Sequence, residues 1–285
     1  MSAFAQVLAS GVATGCVYGL VALSFVLIYK ASDTVSFMQG ELLMVGAFAA
    51  VGLHAAGVPL ALAGVLAVLA VALLGAALER LALRRALGQP HLVAVLLTFG
   101  FGLVMRGAVA SVPAATHEMH RLPLPEQVLV LGGIAFASSH LAVIAATALL
   151  VLLLALFFRH TRAGLALRAC AEDARVAALM GVPVARMHTL AWALGAGLAA
   201  FAGLLLAPIS FVHLDMGLVA LKAFPAAVLG GLYSLPGALA GGVFIGVAEA
   251  LAGLALPEGY KDAVPYALLM LALLAFPRGF GGRAA

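Results

Sequence analysis

Apolar residues run along most of this chain with only short polar interruptions. Between 60 and 78 the sequence reads LALAGVLAVLAVALLGAAL, with no polar side chain at all. A run that is apolar on every side predicts a helix in lipid, because about 20 such residues cross a bilayer core. A barrel strand would instead alternate over about ten residues. The pattern predicts spans over 4–29, 37–57, 59–78, 92–112, 140–158, 189–207, 236–254 and 264–276. Charged stretches at 79–91 and 159–188 and a polar one at 113–127 separate them. A further segment, 216–232, is apolar but short and contains Lys222 and Pro225, so it either crosses or re-enters. The expectation is one all-α polytopic integral membrane helix bundle over 1–285, with 8–9 transmembrane segments. No basic residue precedes Lys30, which argues against a cleaved signal and for a retained first span.

Composition strengthens this reading. Hydrophobic residues make up 65% of the 285 residues and charged residues 9%, against roughly 45–50% and 25% in soluble domains. Most of the outer surface must therefore face lipid. The net charge of +4 is spread through loops, whereas a nucleic-acid reader needs a concentrated basic face. Charge instead orients the chain. Lys30, Arg80, Arg84, Arg85, the arginines of 159–188, Arg278 and Arg283 fall on one side if nine segments cross. That side is cytoplasmic by the positive-inside rule, with the N-terminus outside. Cys16 lies in a span and Cys170 in the charged stretch, which is no disulfide framework.

Catalytic motifs are missing. A phosphate-binding loop needs G-x-x-x-x-G-K-[ST], and none of Lys30, Lys222 and Lys261 closes one. The chain is therefore not expected to be its own ATPase by that route. There is no G-x-S-x-G elbow and no H-E-x-x-H helix. His117, Glu118 and His120 have the wrong spacing for one helical face and read as a solvated loop. The expectation is a non-catalytic protein with no metal and no cofactor of its own.

Ionisable groups inside spans are functional candidates. Glu41 stands one turn into the second span, after Gln39 and Gly40. It either lines a polar path with Gln39 or makes a structural contact at the interface. Thr98 places a hydroxyl at mid-span, where it could bond its own backbone. Gln39, Gly40, Glu41 and Thr98 form the candidate translocation path. Arg106 is expected to snorkel outward, and Glu249 to make a structural hydrogen bond. Glycines such as Gly237, Gly241, Gly242 and Gly246 suit close helix packing in lipid.

The stretch 159–188 is too long for a turn. Residues 172–180 read as a short helix opened by acids and closed by Gly181 and Pro183. Val176, Ala177, Leu179 and Met180 would be exposed on it, a poor solvent face. It is either a docking helix for a soluble partner or an interfacial helix lying on the membrane.

At these residues the sequence resembles a family. Thr161-Arg162-Ala163-Gly164-Leu165-Ala166-Leu167-Arg168-Ala169, continuing through Asp173 to Gly181, is similar to the cytoplasmic loop of branched-chain amino-acid ABC transporter permeases. Phe37-Met38-Gln39-Gly40-Glu41-Leu42-Leu43-Met44 resembles their second-helix signature. Ala227-Val228-Leu229-Gly230-Gly231-Leu232, with Ser234, Pro236-Gly237-Ala238 and Gly241-Gly242 to Glu249, resembles their late glycine-rich motif. Pro277-Arg278-Gly279-Phe280-Gly281 resembles their tail. The match covers most of the chain, in order, and its length fits the smaller of the two paired permease types.

The resemblance implies a multi-pass bacterial inner-membrane permease that moves leucine, isoleucine or valine. It implies a second homologous permease subunit, two ATP-binding subunits, a periplasmic solute-binding protein, a lipid bilayer and no nucleic acid. Coupling to the ATP-binding subunit would fall on Arg168, Glu172, Asp173, Ala178, Leu179 and Gly181. Within the family the solute could instead be urea, an amide or another amino acid. A stand-alone channel or ion-coupled carrier is the alternative of a different class, and it would have no use for a docking helix.

Overall fold

The computed structural model describes residues 2–86, 91–112, 128–131, 134–257 and 259–275. The His117, Glu118 and His120 cluster and the 277–281 tail lie outside them. At the centre stands α1 (Ser2–Ser32). Its most apolar stretch is 89% buried inside the protein, so a helix that reads as lipid-facing is a core helix here. Directly against it pack α5 (Ser138–His160), α8 (Val184–Leu206) and α10 (Leu235–Ala255), while α3 (Leu60–Leu78) packs on α8 and α4 (His91–Ala110) on the short helix that begins at Gln39. α3 continues through a π-helical turn at Glu79–Leu83 into a last turn at Arg84–Ala86.

These six are, among the described residues, the helices long and apolar enough to cross a membrane. The expected eight to nine spans are corrected to six, because three of the apolar runs form short helices. α2 (Gln39–Ala55) has 17 residues and buries much of its length against α3 and α8. The 216–232 run becomes a 3-10 turn, Leu214–Leu218, followed by α9 (Val219–Gly230) of 12 residues. α11 (Val264–Ala275) also has 12. At about 1.5 Å per residue a 12-residue helix is about 18 Å long, well short of a hydrocarbon core of about 30 Å. A helix buried by other helices needs the same apolar side chains as one buried by lipid, so hydropathy alone overcounts.

The bundle is all-α, and one small hairpin stands beside it. Val128–Leu131 (β1) and Ile134–Ala137 (β2) pair as an antiparallel hairpin, with Leu131 opposite Ile134. Its signal was present as VLVL and IAFA flanking Gly132-Gly133, two apolar runs around a Gly-Gly pair.

Glycines set the central packing. α10 crosses α1 where a β-carbon on Gly242 would overlap the backbone of Gly19, and one on Gly246 that of Gly15. The neighbouring face carries Gly237 and Gly241, which meet Gly230 and Ala226 of α9 in the same way. α10 is thus clamped between two backbones, the close approach that small residues allow in lipid.

Candidate functional site

Between α1 and α2 the chain leaves the helix at 33–38 while still inside the bundle. Thr34, Ser36 and Met38 are buried, and Asp33 turns the chain with a positive φ of 49°. The Phe37 N–H, which has no helical partner, donates to Thr98 Oγ1 of α4 at 3.2 Å. The Thr98 hydroxyl in turn donates to the Val95 carbonyl at 2.9 Å. Thr98 therefore bonds its own helix, as expected, and also anchors the break between α1 and α2.

α2 begins at Gln39, and no side chain caps it. Its first N–H groups lack intrahelical partners and carry the positive end of the helix dipole. Gln39 is fully buried, and neither Oε1 nor Nε2 finds a partner in the protein. Ser36 Oγ and Glu41 Oε2 are buried and unpartnered too. Glu41 Oε1 lies 3.6 Å from Arg106 Nη1. The other guanidinium arm pairs with Asp215 in the 3-10 turn. Arg106, expected to reach outward, is partly exposed and sits between two carboxylates from other segments, the more exposed of them Asp215. Gly40 lets this turn close: a β-carbon there would overlap the Gly217 carbonyl. Phe37, two residues before Gln39, meets Phe224 in a tilted pair at 6.2 Å, and Phe25 meets Phe224 edge-on at 5.8 Å.

Gln39, Gly40, Glu41 and Thr98 thus come together around one helix break. Sequence reasoning missed Asp215 and the pairing role of Arg106. An acid in a short loop gives no signal by itself, and only the fold brings residues 41, 106 and 215 together.

A second polar network holds α1, α9 and α10 together. The Tyr18 hydroxyl donates to Glu249 Oε2 at 2.7 Å, and Lys222 Nζ donates to Glu249 Oε1 at 2.8 Å and Asp262 at 2.6 Å. The Lys222 hydrogen bond holds the Asp262 carboxyl below its ordinary range. Glu249 is structural, as expected, and Lys222 supplies the countercharge.

The 159–188 stretch forms two helices, α6 (Arg162–Glu172) and α7 (Ala174–Leu179). Thr161 caps α6, accepting from the Gly164 N–H at 2.9 Å. Asp173 caps α7, its Oδ1 accepting from the Arg175 and Val176 N–H groups at 2.8 and 3.0 Å. The expected single helix over 172–180 is therefore corrected. Glu172 ends the first helix and Asp173 starts the second, because a short acid that bonds two N–H groups is a better cap than a first-turn residue. Gly181 ends α7 with a φ of +83°; its N–H donates to the Ala178 carbonyl and that of Val182 to Ala177, a glycine-closed helix end. Cys170 lies buried in α6 rather than in a loop. Leu179 and Met180 are 87% and 81% exposed, and Val176 and Ala178 are also exposed. Ala177 departs from expectation and is buried. Arg168 is exposed on α6.

The two basic stretches meet at one end of the bundle, where Arg84 Nη2 donates to the Ala185 carbonyl at 2.9 Å. Glu79, expected in a charged loop, is buried in the π-helical turn and bound by Arg84 at 3.0 Å and by the Thr189 hydroxyl at 2.6 Å.

The family described as "Branched-chain amino acid transport system / permease component" matches residues 7–273. The high-affinity branched-chain amino acid transport system permease protein LivH of Escherichia coli (strain K12) is 34% identical, over 98% of this chain and 96% of its own length. LivH of Salmonella typhimurium is 33% identical over the same shares. The corresponding protein BraD of Pseudomonas aeruginosa is 30% identical over 98% and 96%. Among solved structures, a chain of PsaBC from Streptococcus pneumoniae in complex with Fab superposes with a TM-score of 0.53 at 13% identity. That match covers 94% of this chain and 91% of the other, and it is a likeness of fold.

Proposed function

The chain belongs to the family of permease components of branched-chain amino acid transport systems, and from that premise we propose that it moves leucine, isoleucine or valine by alternating access past the break between α1 and α2. It is a multi-pass inner-membrane transport subunit and not an enzyme. The family brings the ABC importer architecture with it. In our reading the chain pairs with a second homologous permease, two ATP-binding subunits dock on its cytoplasmic loops, and a periplasmic binding protein delivers the solute.

The observation that carries the path is the uncapped first turn of α2 with the buried, unpartnered Gln39 amide and Glu41 Oε2 beside it. Buried polar atoms are normally satisfied, so a set left open inside a membrane protein is suited to a transient ligand. A zwitterionic amino acid supplies the complement. Its carboxylate suits the N–H groups at the start of α2, as anions suit helix N-termini, and its ammonium suits Glu41 and Asp215. Phe37 and Phe224 offer the apolar surface an aliphatic side chain needs.

For coupling, the exposed Leu179 and Met180 on a capped, glycine-closed α7 support docking of an ATP-binding subunit, with Arg168, Glu172, Asp173, Ala178 and Gly181 around them. Glu41→Ala tests the path. Leucine uptake should fall at least tenfold while the complex still assembles and hydrolyses ATP. Glu41→Gln, which keeps shape and loses charge, should also transport poorly. Normal uptake in both variants would remove this cluster from the path.

A further inference from the structure

Independently of the solute path, a cavity of about 570 Å³ opens between the end of α3 and the start of α8. Arg80, Arg84 and Arg186 stand around it, and Ala76, Leu190 and Ala193 line its apolar part. Just beyond, α3 and α8 close together where Gly75 lies against Trp192 and Ala196, so the space is a pocket and not a channel.

The three arginines are not equivalent. Arg84 is committed: its Nε and Nη2 bind the buried Glu79 at 3.2 and 3.0 Å, and Nη2 also reaches the Ala185 carbonyl. The two charges of that pair offset each other. The Arg80 and Arg186 side chains are exposed and make no hydrogen bond or ion pair among the described residues. Arg80 and Arg84 lie four residues apart, so they point to one side of the helix end. The pocket therefore presents two uncompensated positive charges over an apolar interior, at the end of the bundle where the basic loops meet. Above Arg80, α3 exposes Leu66, Leu69 and Leu73, an apolar track leading from the charges toward the bilayer centre. Charge at the rim, apolar surface inside and a track along a membrane-crossing helix match an amphiphile better than a soluble anion.

We infer that this pocket binds the phosphate headgroup of an anionic phospholipid of the cytoplasmic leaflet, with Arg80 and Arg186 on the phosphate and the acyl chains along α3. Arg84, fixed by Glu79, positions the wall between them. Basic residues at an anionic leaflet contribute about 1 kcal/mol each. Losing two should weaken binding about thirtyfold, or about 2 kcal/mol.

The test is native mass spectrometry on the full chain, delipidated in detergent and titrated with phosphatidylglycerol or with phosphatidylcholine of the same acyl chains. The wild type should bind phosphatidylglycerol in preference. The double variant Arg80→Gln/Arg186→Gln should lose that preference about thirtyfold with unchanged Tm, because both side chains are exposed, and Arg80→Lys/Arg186→Lys should recover part of it. Equal binding of both lipids by the wild type, or undiminished phosphatidylglycerol binding by the Gln variant, would overturn the assignment. So would inorganic phosphate displacing the lipid at equal concentration, which would identify a free-anion site. If the Gln variant keeps its lipid but no longer co-purifies with an ATP-binding subunit, the arginines belong to that interface and the inference fails.

Discussion

Gln39 shows most sharply how a single side chain separates structure from function. An unmade hydrogen bond on a buried polar group costs about 1–3 kcal/mol, and both polar atoms of Gln39 are unpartnered. Leucine has a similar volume and nothing to satisfy. Gln39→Leu should therefore leave Tm unchanged or raise the stability by about 1–3 kcal/mol, while uptake falls. Thermal melting and transport on the same preparation give the answer, and a strongly destabilised variant would mark the amide as structural instead. Gln39 and Glu41 were legible in sequence because polar groups stand out inside an apolar run. Asp215 and Lys222 were not. Asp215 sits in a loop where a charge is ordinary, Lys222 stood out in an apolar segment without revealing its role, and each matters only through a partner elsewhere in the chain: Arg106 for the first, Glu249 for the second.

Elements here are held by what is absent from their surfaces. On α10, Gly246 has no room for a side chain against Gly15, so Gly246→Leu must push α1 and α10 apart. Overpacking of this kind costs about 1–3 kcal/mol, occasionally more, and α1 is the central helix. The variant should express at a lower level and lose Tm, which a detergent melt will show; an unaltered melt would mean that the two helices can separate freely. At α7 the exposed face makes the opposite demand. If Ala178 faces a cleft on an ATP-binding subunit, Ala178→Glu buries an unpaired charge there. Breaking a buried interfacial pair costs about 2–5 kcal/mol, so docking should weaken well over tenfold at about 1.4 kcal/mol per tenfold. Insertion in the membrane should be normal while co-purification and solute-stimulated ATPase are lost. Undiminished co-purification would return α7 to the membrane surface.

For the whole molecule, the arrangement fixes which loops share a side. α4 and α5 both cross between the end of α3 and α6, and Arg84 touches the Ala185 carbonyl, so the two basic stretches lie at the same end. By the positive-inside rule that end is predicted to face the cytoplasm. Arg85→Cys and Arg175→Cys, both at exposed positions, should be labelled by a membrane-impermeant thiol reagent in inverted vesicles and not in intact cells. Native Cys16 and Cys170 are buried and should give little background. Labelling of the two positions from opposite faces would refute the arrangement.

Run length and polarity alone determined that the chain lives in lipid, that its basic loops face one way and that a capped helix ends at Gly181. Each is a local property: transfer of apolar side chains from water, the sign of loop charge, or a glycine free to adopt a positive φ. Ordered motifs in the same residues carried the family resemblance. The tertiary structure alone decided that six helices rather than eight or nine are long enough to cross. Hydropathy records that a side chain avoids water and cannot tell whether lipid or another helix replaces it, so α1 and α5 read alike although one is the core and the other the rim. The candidate site divides in the same way. Gln39, Gly40, Glu41 and Thr98 could be picked out one by one, but their meeting with Arg106 and Asp215 depends on a helix break and a Gly40–Gly217 contact between residues far apart in the chain.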